Sequence, residues 1–232
     1  MAISEQQRPT LDRPTFREIL KGYSFEDAAI LDHAYQMTKA GHRDKWRIGG
    51  ARYFEHPREV VNILYFECGI KDPAVLAAGF LHDMAEDTSV FGNPTEMTNS
   101  EFERQVKFLI SRDFYPQTAD IVWDVTEPSV DGVEVLTEHD AKTIKYDKLR
   151  FTLPGGLIVK MADRLHNLRT FFPKVGEETP EKRIRETEEI LIPIFEQIES
   201  TEYKDAGKYL ISEIRKAIAI LRSQTYPSEL TL

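Results

Sequence analysis

Leu81-His82-Asp83-Met84-Ala85-Glu86-Asp87-Thr88 is the stretch on which the reading of this chain turns. A His-Asp pair is followed, one helical turn later, by a Glu-Asp pair. Residues three and four apart share a face of an α-helix. On one continuous helix, Glu86 lies beside His82 and Asp83, and Asp87 beside Asp83, so an imidazole and three carboxylates crowd one stripe. The residues just before it, Ala74-Val75-Leu76-Ala77-Ala78-Gly79-Phe80-Leu81, are almost wholly apolar. A helix apolar on most sides is buried, so it carries the polar stripe inward. Carboxylates held together away from water repel unless a cation or a proton compensates them. A divalent metal is the simplest compensation. The plainer alternative is a solvated acidic helix end, with His82 satisfied in the core.

One His-Asp pair is not a complete ligand shell. Imidazole and carboxylate donors together suit Mn, Fe, Zn or Mg. Two other stretches offer more of them: Tyr53-Phe54-Glu55-His56-Pro57 upstream, and Lys160-Met161-Ala162-Asp163-Arg164-Leu165-His166-Asn167-Leu168-Arg169-Thr170 downstream. The downstream stretch sits on a two-faced helix expected over about 156–172. Ile158, Met161, Ala162, Leu165 and Leu168 form its apolar face, and Lys160, Asp163, His166, Asn167 and Thr170 the other. Spacing alone also allows Asp163 to be a surface charge paired with Arg164 or Arg169.

Composition bounds the rest. The chain has 232 residues, 41% of them apolar, and a net charge of −9. That length fits one large domain, or one domain with a helical appendage. The single cysteine, Cys68, excludes an internal disulfide framework and a multi-Cys zinc site. It fits a reducing compartment, so a cytoplasmic location is expected. Met1 to Arg13 lacks the apolar core of a signal peptide. No apolar run approaches the ~20 residues that span a membrane, so no membrane partner is expected. The negative charge argues against binding a nucleic-acid polymer, which needs a basic face. Residues 39–58 break this pattern: Lys39, Arg43, Lys45, Arg47, Arg52 and Arg58 stand against Asp44 and Glu55. A local reversal of sign suggests an anionic ligand, the alternative being an ordinary basic surface loop. Gly49-Gly50 within it reads as a turn. Trp46 and Tyr53 offer rings that stack on a base or pack into the core.

Helical spacing predicts an all-α chain with one domain over 24–200. Residues 1–23 read as a tail in which Phe16, Ile19 and Leu20 form a short docking turn. A first helix starts after Ser24, an N-cap, and ends at Gly41. Pro57 suits the first turn of the next helix, which Cys68-Gly69 ends. Asp72-Pro73 opens the helix leading to the 82–87 stripe, and Ser100 is read as the cap of another through about Ser111. A shorter helix over 118–126, an irregular piece at Val133-Glu134-Val135 and a polar helix over 137–150 follow. Thr179 caps the next helix, with Pro180 at its first position. Residues 201–232 contribute a terminal amphipathic helix to the same domain, built on Ala206, Leu210, Ile214, Ala217, Ile218 and Leu221.

His56, His82-Asp83 and Asp163 stand in the H…HD…D order of the HD-domain metal-dependent phosphohydrolases, and the chain resembles the alarmone hydrolase domain of the RelA/SpoT family and its small single-domain relatives. That family's three motifs are approximately H-x-x-Q-x-R-K-S-G-x-P-Y-x-x-H-P, L-H-D-x-x-E-D-T and K-L-A-D-R-L-H-N-x-R-T. Here they read His42 to Pro57, Leu81 to Thr88 and Lys160 to Thr170, followed by an R-E-T at Arg185-Glu186-Thr187. The resemblance covers about residues 25–195 and implies an all-α HD-domain helical bundle. It implies one metal, Mn2+, on His56, His82, Asp83 and Asp163, with Glu86 and Asp87 orienting or deprotonating the attacking water. Arg47 would flank a guanine base, Tyr53 and Asn167 would contact the nucleotide, and Thr170 would lie near it. Lys45 and Lys142 would neutralise phosphate. The implied reaction removes pyrophosphate from the 3′ position of guanosine tetra- or pentaphosphate.

Three positions depart from the family pattern: Lys45 stands for Gln, Ile48 for the second basic residue and Arg52 for Pro, with Lys45 and Arg52 expected to replace the charge missing at Ile48. The residues after 195 are too few for a second domain, so no synthetase-like domain is expected in them. Other readings are an HD phosphohydrolase of a different nucleotide or phosphate ester, or a nucleotide-binding regulator with little turnover. The Glu86-Asp87 pair argues against the last, because a pure binder has no use for water-activating groups. A homo-oligomer stays open.

Overall fold

The computed structural model describes residues 9–128, 137–172 and 179–225, and among them the chain is all helical apart from one antiparallel bridge between Trp46 and Arg52. The reading of Val133-Glu134-Val135 lies outside the described residues. Helix α4 (Pro73–Leu81) is the axis of the fold, and every residue from Ala74 to Leu81 is buried. Asp72 caps it, accepting from the Ala74 N–H, and Pro73 occupies its first turn, where no N–H is needed. Burying Val75, Leu76, Phe80 and Leu81 stabilises the fold by roughly 1.5–3 kcal/mol each.

Around α4 pack α2 (Phe25–Gly41), α3 (Glu55–Asn62), α7 (Pro116–Val125) and α9 (Pro154–Arg169). Two buried hydroxyls tie these neighbours to it: Thr38 donates to the Phe80 carbonyl and Thr118 to the Ala74 carbonyl, both at 3.0 Å. Gly79 lets α3 approach closely, because a Cβ there would sit 3.0 Å from Leu64 and Val61 side-chain atoms. Helix α9 is enclosed on nearly all sides by α3, α4, α7 and α12 (Lys204–Thr225). Arg169 anchors its end with a two-pronged bond to Glu67, at 2.8 and 3.0 Å, and a third to Glu213 at 2.8 Å.

Several elements differ from their sequence reading. The stripe at 82–87 is not one helix: α4 stops at Leu81, Asp83 takes φ −93° and ψ −5°, and a single turn, α5 (Met84–Asp87), restarts the chain in a new direction. The docking turn near Phe16 is a two-turn helix, α1 (Arg13–Leu20), capped by Asp12. Phe16 stacks on Tyr35 with ring centres 5.0 Å apart and meets Phe80 edge-on, so this part of the 1–23 segment is packed on the core. Helix α6 (Asn99–Asp113) is capped by Thr98 rather than Ser100: Thr98 and Glu101 form a reciprocal capping box, although Ser100 and Glu103 offer the same spacing, and the helix so begun places Ser100 in its first turn. Helices α8 (Glu138–Phe151), α10 (Pro180–Glu186) and the short α11 (Ile192–Phe195) complete the described architecture. No helix among the described residues is long and apolar enough to cross a membrane.

Candidate metal centre and substrate pocket

Three elements bring four candidate donors into one cluster, of which His56, His82 and Asp83 are close enough together to share one ion. α3 brings His56 in its first turn, the break between α4 and α5 brings His82 and Asp83, and the middle of α9 brings Asp163. The His56 Nε2 lies 3.2 Å from His82 Nε2, 3.3 Å from Asp83 Oδ2 and 3.2 Å from Asp163 Oδ1. The His82 Nε2 lies 3.1 Å from Asp83 Oδ1 and 3.9 Å from Asp163 Oδ1. Ligand atoms about 2.1 Å from a common ion stand roughly 3.0 Å apart at right angles and 3.4 Å apart in a tetrahedron. The spacings among His56, His82 and Asp83 fit ligands sharing one divalent metal, and Asp163 Oδ1 lies beside them, nearest His56.

The orientation of both imidazoles supports that fit. His82 Nδ1 lies 2.9 Å from the Gly79 carbonyl, a contact that needs a proton on Nδ1 and leaves the Nε2 lone pair facing the centre. His56 Nδ1 lies 2.7 Å from His166 Nδ1. Burial, with the nearby His56 and Arg47, holds His166 down to about 2, so it stays neutral and can accept a hydrogen bond from the His56 Nδ1–H. Two neighbours fix the acids. The Tyr53 hydroxyl donates to Asp83 Oδ2 at 3.0 Å, and Lys160 pairs with Asp163 Oδ2 at 3.0 Å. Although burial opposes it, the charge of Lys160 holds the Asp163 carboxyl well below its usual range. Asp163 is therefore no surface charge: Arg164 pairs with Glu186, and Arg169 with Glu67 and Glu213.

Glu86 and Asp87 flank this cluster against different neighbours. Glu86 Oε1 accepts from the Glu127 N–H at 2.7 Å. Crowding by protein and then the Asp83 charge push its carboxyl up, while its exposed surface lets water screen part of the effect. A raised carboxyl beside the donors is suited to taking and returning a proton near neutral pH. Asp87 Oδ2 lies 3.7 Å from His42 Nε2, and its other oxygen 3.9 Å from Lys45 Nζ.

A cavity of about 710 Å³ opens beside His56 and is lined by Arg47, Ile48, Asn167, Thr170 and Phe171. Arg47 donates to Asn167 Oδ1 at 2.7 Å, and Asn167 in turn donates to Asp163 Oδ1, so the pocket is wired to the donor cluster. The structure thus brings Arg47, Asn167 and Thr170 together. Tyr53 instead points its hydroxyl at Asp83, with its ring stacked on His42 at 4.7 Å, and Lys45 reaches towards Asp87. Lys142, exposed on α8, lines a neighbouring cavity with Glu127, Lys145 and Glu186. Arg52 faces the far side of the loop, so it does not replace the charge missing at Ile48. His166, Lys160 and Glu127 join the site through their contacts with His56, Asp163 and Glu86. The first two sit on the same i, i+3 stripe as Asp163, and that stripe was the available signal.

The fold and this centre define a helical protein with a buried His/Asp cluster, a candidate divalent-metal site, beside a cavity of about 710 Å³. Comparison with known proteins then places it: residues 34–197 match the HD domain family, and the chain belongs to it. The chain is 30% identical to the guanosine-3′,5′-bis(diphosphate) 3′-pyrophosphohydrolase MESH1 of Xenopus tropicalis, over 69% of this chain and 79% of that one. It is 29% identical to MESH1 of Homo sapiens, over 81% and 96%. A GTP pyrophosphokinase of Streptomyces antibioticus is 33% identical over 81% of this chain, which spans only 21% of that much longer protein. The solved structure of a metazoan SpoT ortholog that hydrolyses ppGpp superposes with a TM-score of 0.60 at 22% identity, covering 81% of this chain and 95% of that one.

Proposed function

We propose that the chain removes pyrophosphate from the 3′ position of guanosine tetra- or pentaphosphate, with Mn2+ held by His56, His82, Asp83 and Asp163. The observation that carries this reading is the contact of the donor cluster with a pocket whose polar wall, Arg47 to Asn167 to Asp163, is one hydrogen-bonded chain. The mixed nitrogen and oxygen donor set suits Mn2+ as it does Fe, Zn or Mg, and the choice of Mn2+ rests on the family resemblance. The MESH1 relatives, of which this chain covers 96% and 79%, are named for this reaction.

A divalent metal in such a site lowers the pKa of water from 15.7 towards ~7 and polarises a phosphoryl oxygen. The protein's own groups do the rest. Glu86 takes the proton of the attacking water, its basicity raised for that task by the crowding protein and the Asp83 charge. Asp87, held near His42 and Lys45, orients the water from the other side. Arg47 offers a planar cation to the face of a purine, which Lys cannot imitate. Asn167 links base-binding and metal-binding walls without adding charge near phosphate. Phe171 supplies apolar surface against the nucleoside.

The test is a panel of guanosine and adenosine nucleotides, with and without a 3′-diphosphate, incubated with Mn2+ and resolved by chromatography. Conversion of ppGpp to GDP and pyrophosphate ahead of the others is the expected result. Faster turnover of a nucleotide lacking the 3′-diphosphate would overturn the reading.

A further inference from the structure

The fold splits the basic segment that the sequence presents as one unit. Among its six cations, Arg47 faces the pocket beside His56, and Lys45 reaches towards Asp87. Lys39, Arg43, Arg52 and Arg58 face instead a separate cavity of about 680 Å³, joined there by Arg13 from α1. The carboxylate on this lining is Glu55, and it is already paired with Arg58. Arg13 pairs with Asp32. Lys39, Arg43 and Arg52 are exposed and have no ion pair among the described residues. The buried Arg58 Nε has no hydrogen-bond partner.

Five cations around one concave space repel each other, and in a chain of net charge −9 nothing about overall composition requires them there. A concave wall of one sign focuses its field on a counter-ion. Guanidinium groups bind phosphate oxygens two at a time, and Arg43 and Arg52 are free to do so, with the Lys39 ammonium beside them as a point charge. A single phosphate engages one or two such groups, whereas a chain of phosphates spans several. A nucleic-acid polymer fits less well, because the charge is confined to a pocket on an acidic protein.

We propose that this cavity is a second anion site that binds a chain of two or more phosphates, free or as the tail of a nucleotide. It adjoins the candidate active site at Glu55, which lines both cavities, but its cations are other residues than Arg47 and Lys45, and it does not depend on which substrate that site takes.

The test is equilibrium dialysis of the full-length chain against labelled inorganic tripolyphosphate, with Mn2+ in excess. Wild type should bind a second equivalent that Arg47→Ala retains and the double variant Lys39→Glu/Arg43→Glu loses. Both side chains are exposed, so the core is untouched, and an unchanged melting temperature checks this. The milder Lys39→Gln/Arg43→Gln should weaken that site roughly tenfold. Displacement by ATP would identify a nucleotide tail as the ligand, and displacement only by tripolyphosphate a free phosphate chain; both sustain the site. Undiminished binding in the charge-reversed variant, or no equivalent beyond the one Arg47→Ala removes, would overturn the proposal. So would tighter displacement by a short RNA than by either phosphate compound.

Discussion

Replacing His166 by Phe should loosen metal binding although His166 touches no metal. His56 can offer its Nε2 lone pair to the centre only if its proton sits on Nδ1, and the group 2.7 Å from that nitrogen is the neutral, buried His166. Phenylalanine keeps the bulk and removes the acceptor. His56 then loses both the restraint on its ring and the partner that selects its tautomer. Loss of such an outer partner costs roughly 10- to 100-fold in metal affinity, or about 1.4–2.7 kcal/mol. Titration of Mn2+ against a competing chelating dye reads this directly. His166→Gln, whose amide oxygen can accept the same proton, should recover part of the loss. Affinity equal to wild type in His166→Phe would refute the argument that the second histidine sets the first.

Three further outcomes follow from the geometry. Glu86→Gln and Asp87→Asn should each cut turnover by about two to four orders of magnitude while metal stays bound; a variant that loses metal as fully as Asp83→Ala shows its residue to be a ligand. Ile48→Lys returns a cation to the pocket wall that Arg52 does not serve, so it should lower the Michaelis constant for ppGpp, whereas a raised constant would mean that the exposed Ile48 packs against substrate. Acid stability should depend on Glu186, whose carboxyl, despite burial, is held down to about 2 by Arg164 and Lys145. A depressed pKa adds stability above the unfolded value near 4.5 and loses it as pH falls from there towards 2, by about 2–3 kcal/mol. Denaturant unfolding should therefore show wild type losing more stability than Glu186→Gln across that window, and parallel losses would contradict the assignment.

How far the sequence foretold these features can be traced to particular residues. Ile158, Met161, Ala162, Leu165 and Leu168 are all buried, as their spacing predicts, and that stripe fixes which way Asp163 points. The run 74–81 is buried throughout, so His82 and Asp83 arrive inside the protein as read. What periodicity does not carry is the path of the chain between helices. The break after Leu81 is invisible in a helical pattern, yet Asp83 and Asp87 remain adjacent because a new turn restarts at once, with the Asp87 N–H bonded to the Asp83 carbonyl at 2.9 Å. The loop over 43–54 decides which cations meet which cavity, and its two sides are set by the Trp46–Arg52 bridge and by Gly50 at φ 82°. No local rule assigns Tyr53 to Asp83, or Arg52 away from Ile48. Lys142 was read by charge alone, and charge does not say which side of Glu127 a lysine will occupy.

The most direct test of the central claim is steady-state hydrolysis of ppGpp before chelation, after metal removal, and after Mn2+ is restored, in wild type and in Asp163→Ala. The account predicts GDP and pyrophosphate from wild type, no turnover after chelation, recovery on adding Mn2+, and no recovery in Asp163→Ala. Full turnover by chelated protein, or normal Mn2+-dependent turnover by Asp163→Ala, would contradict it.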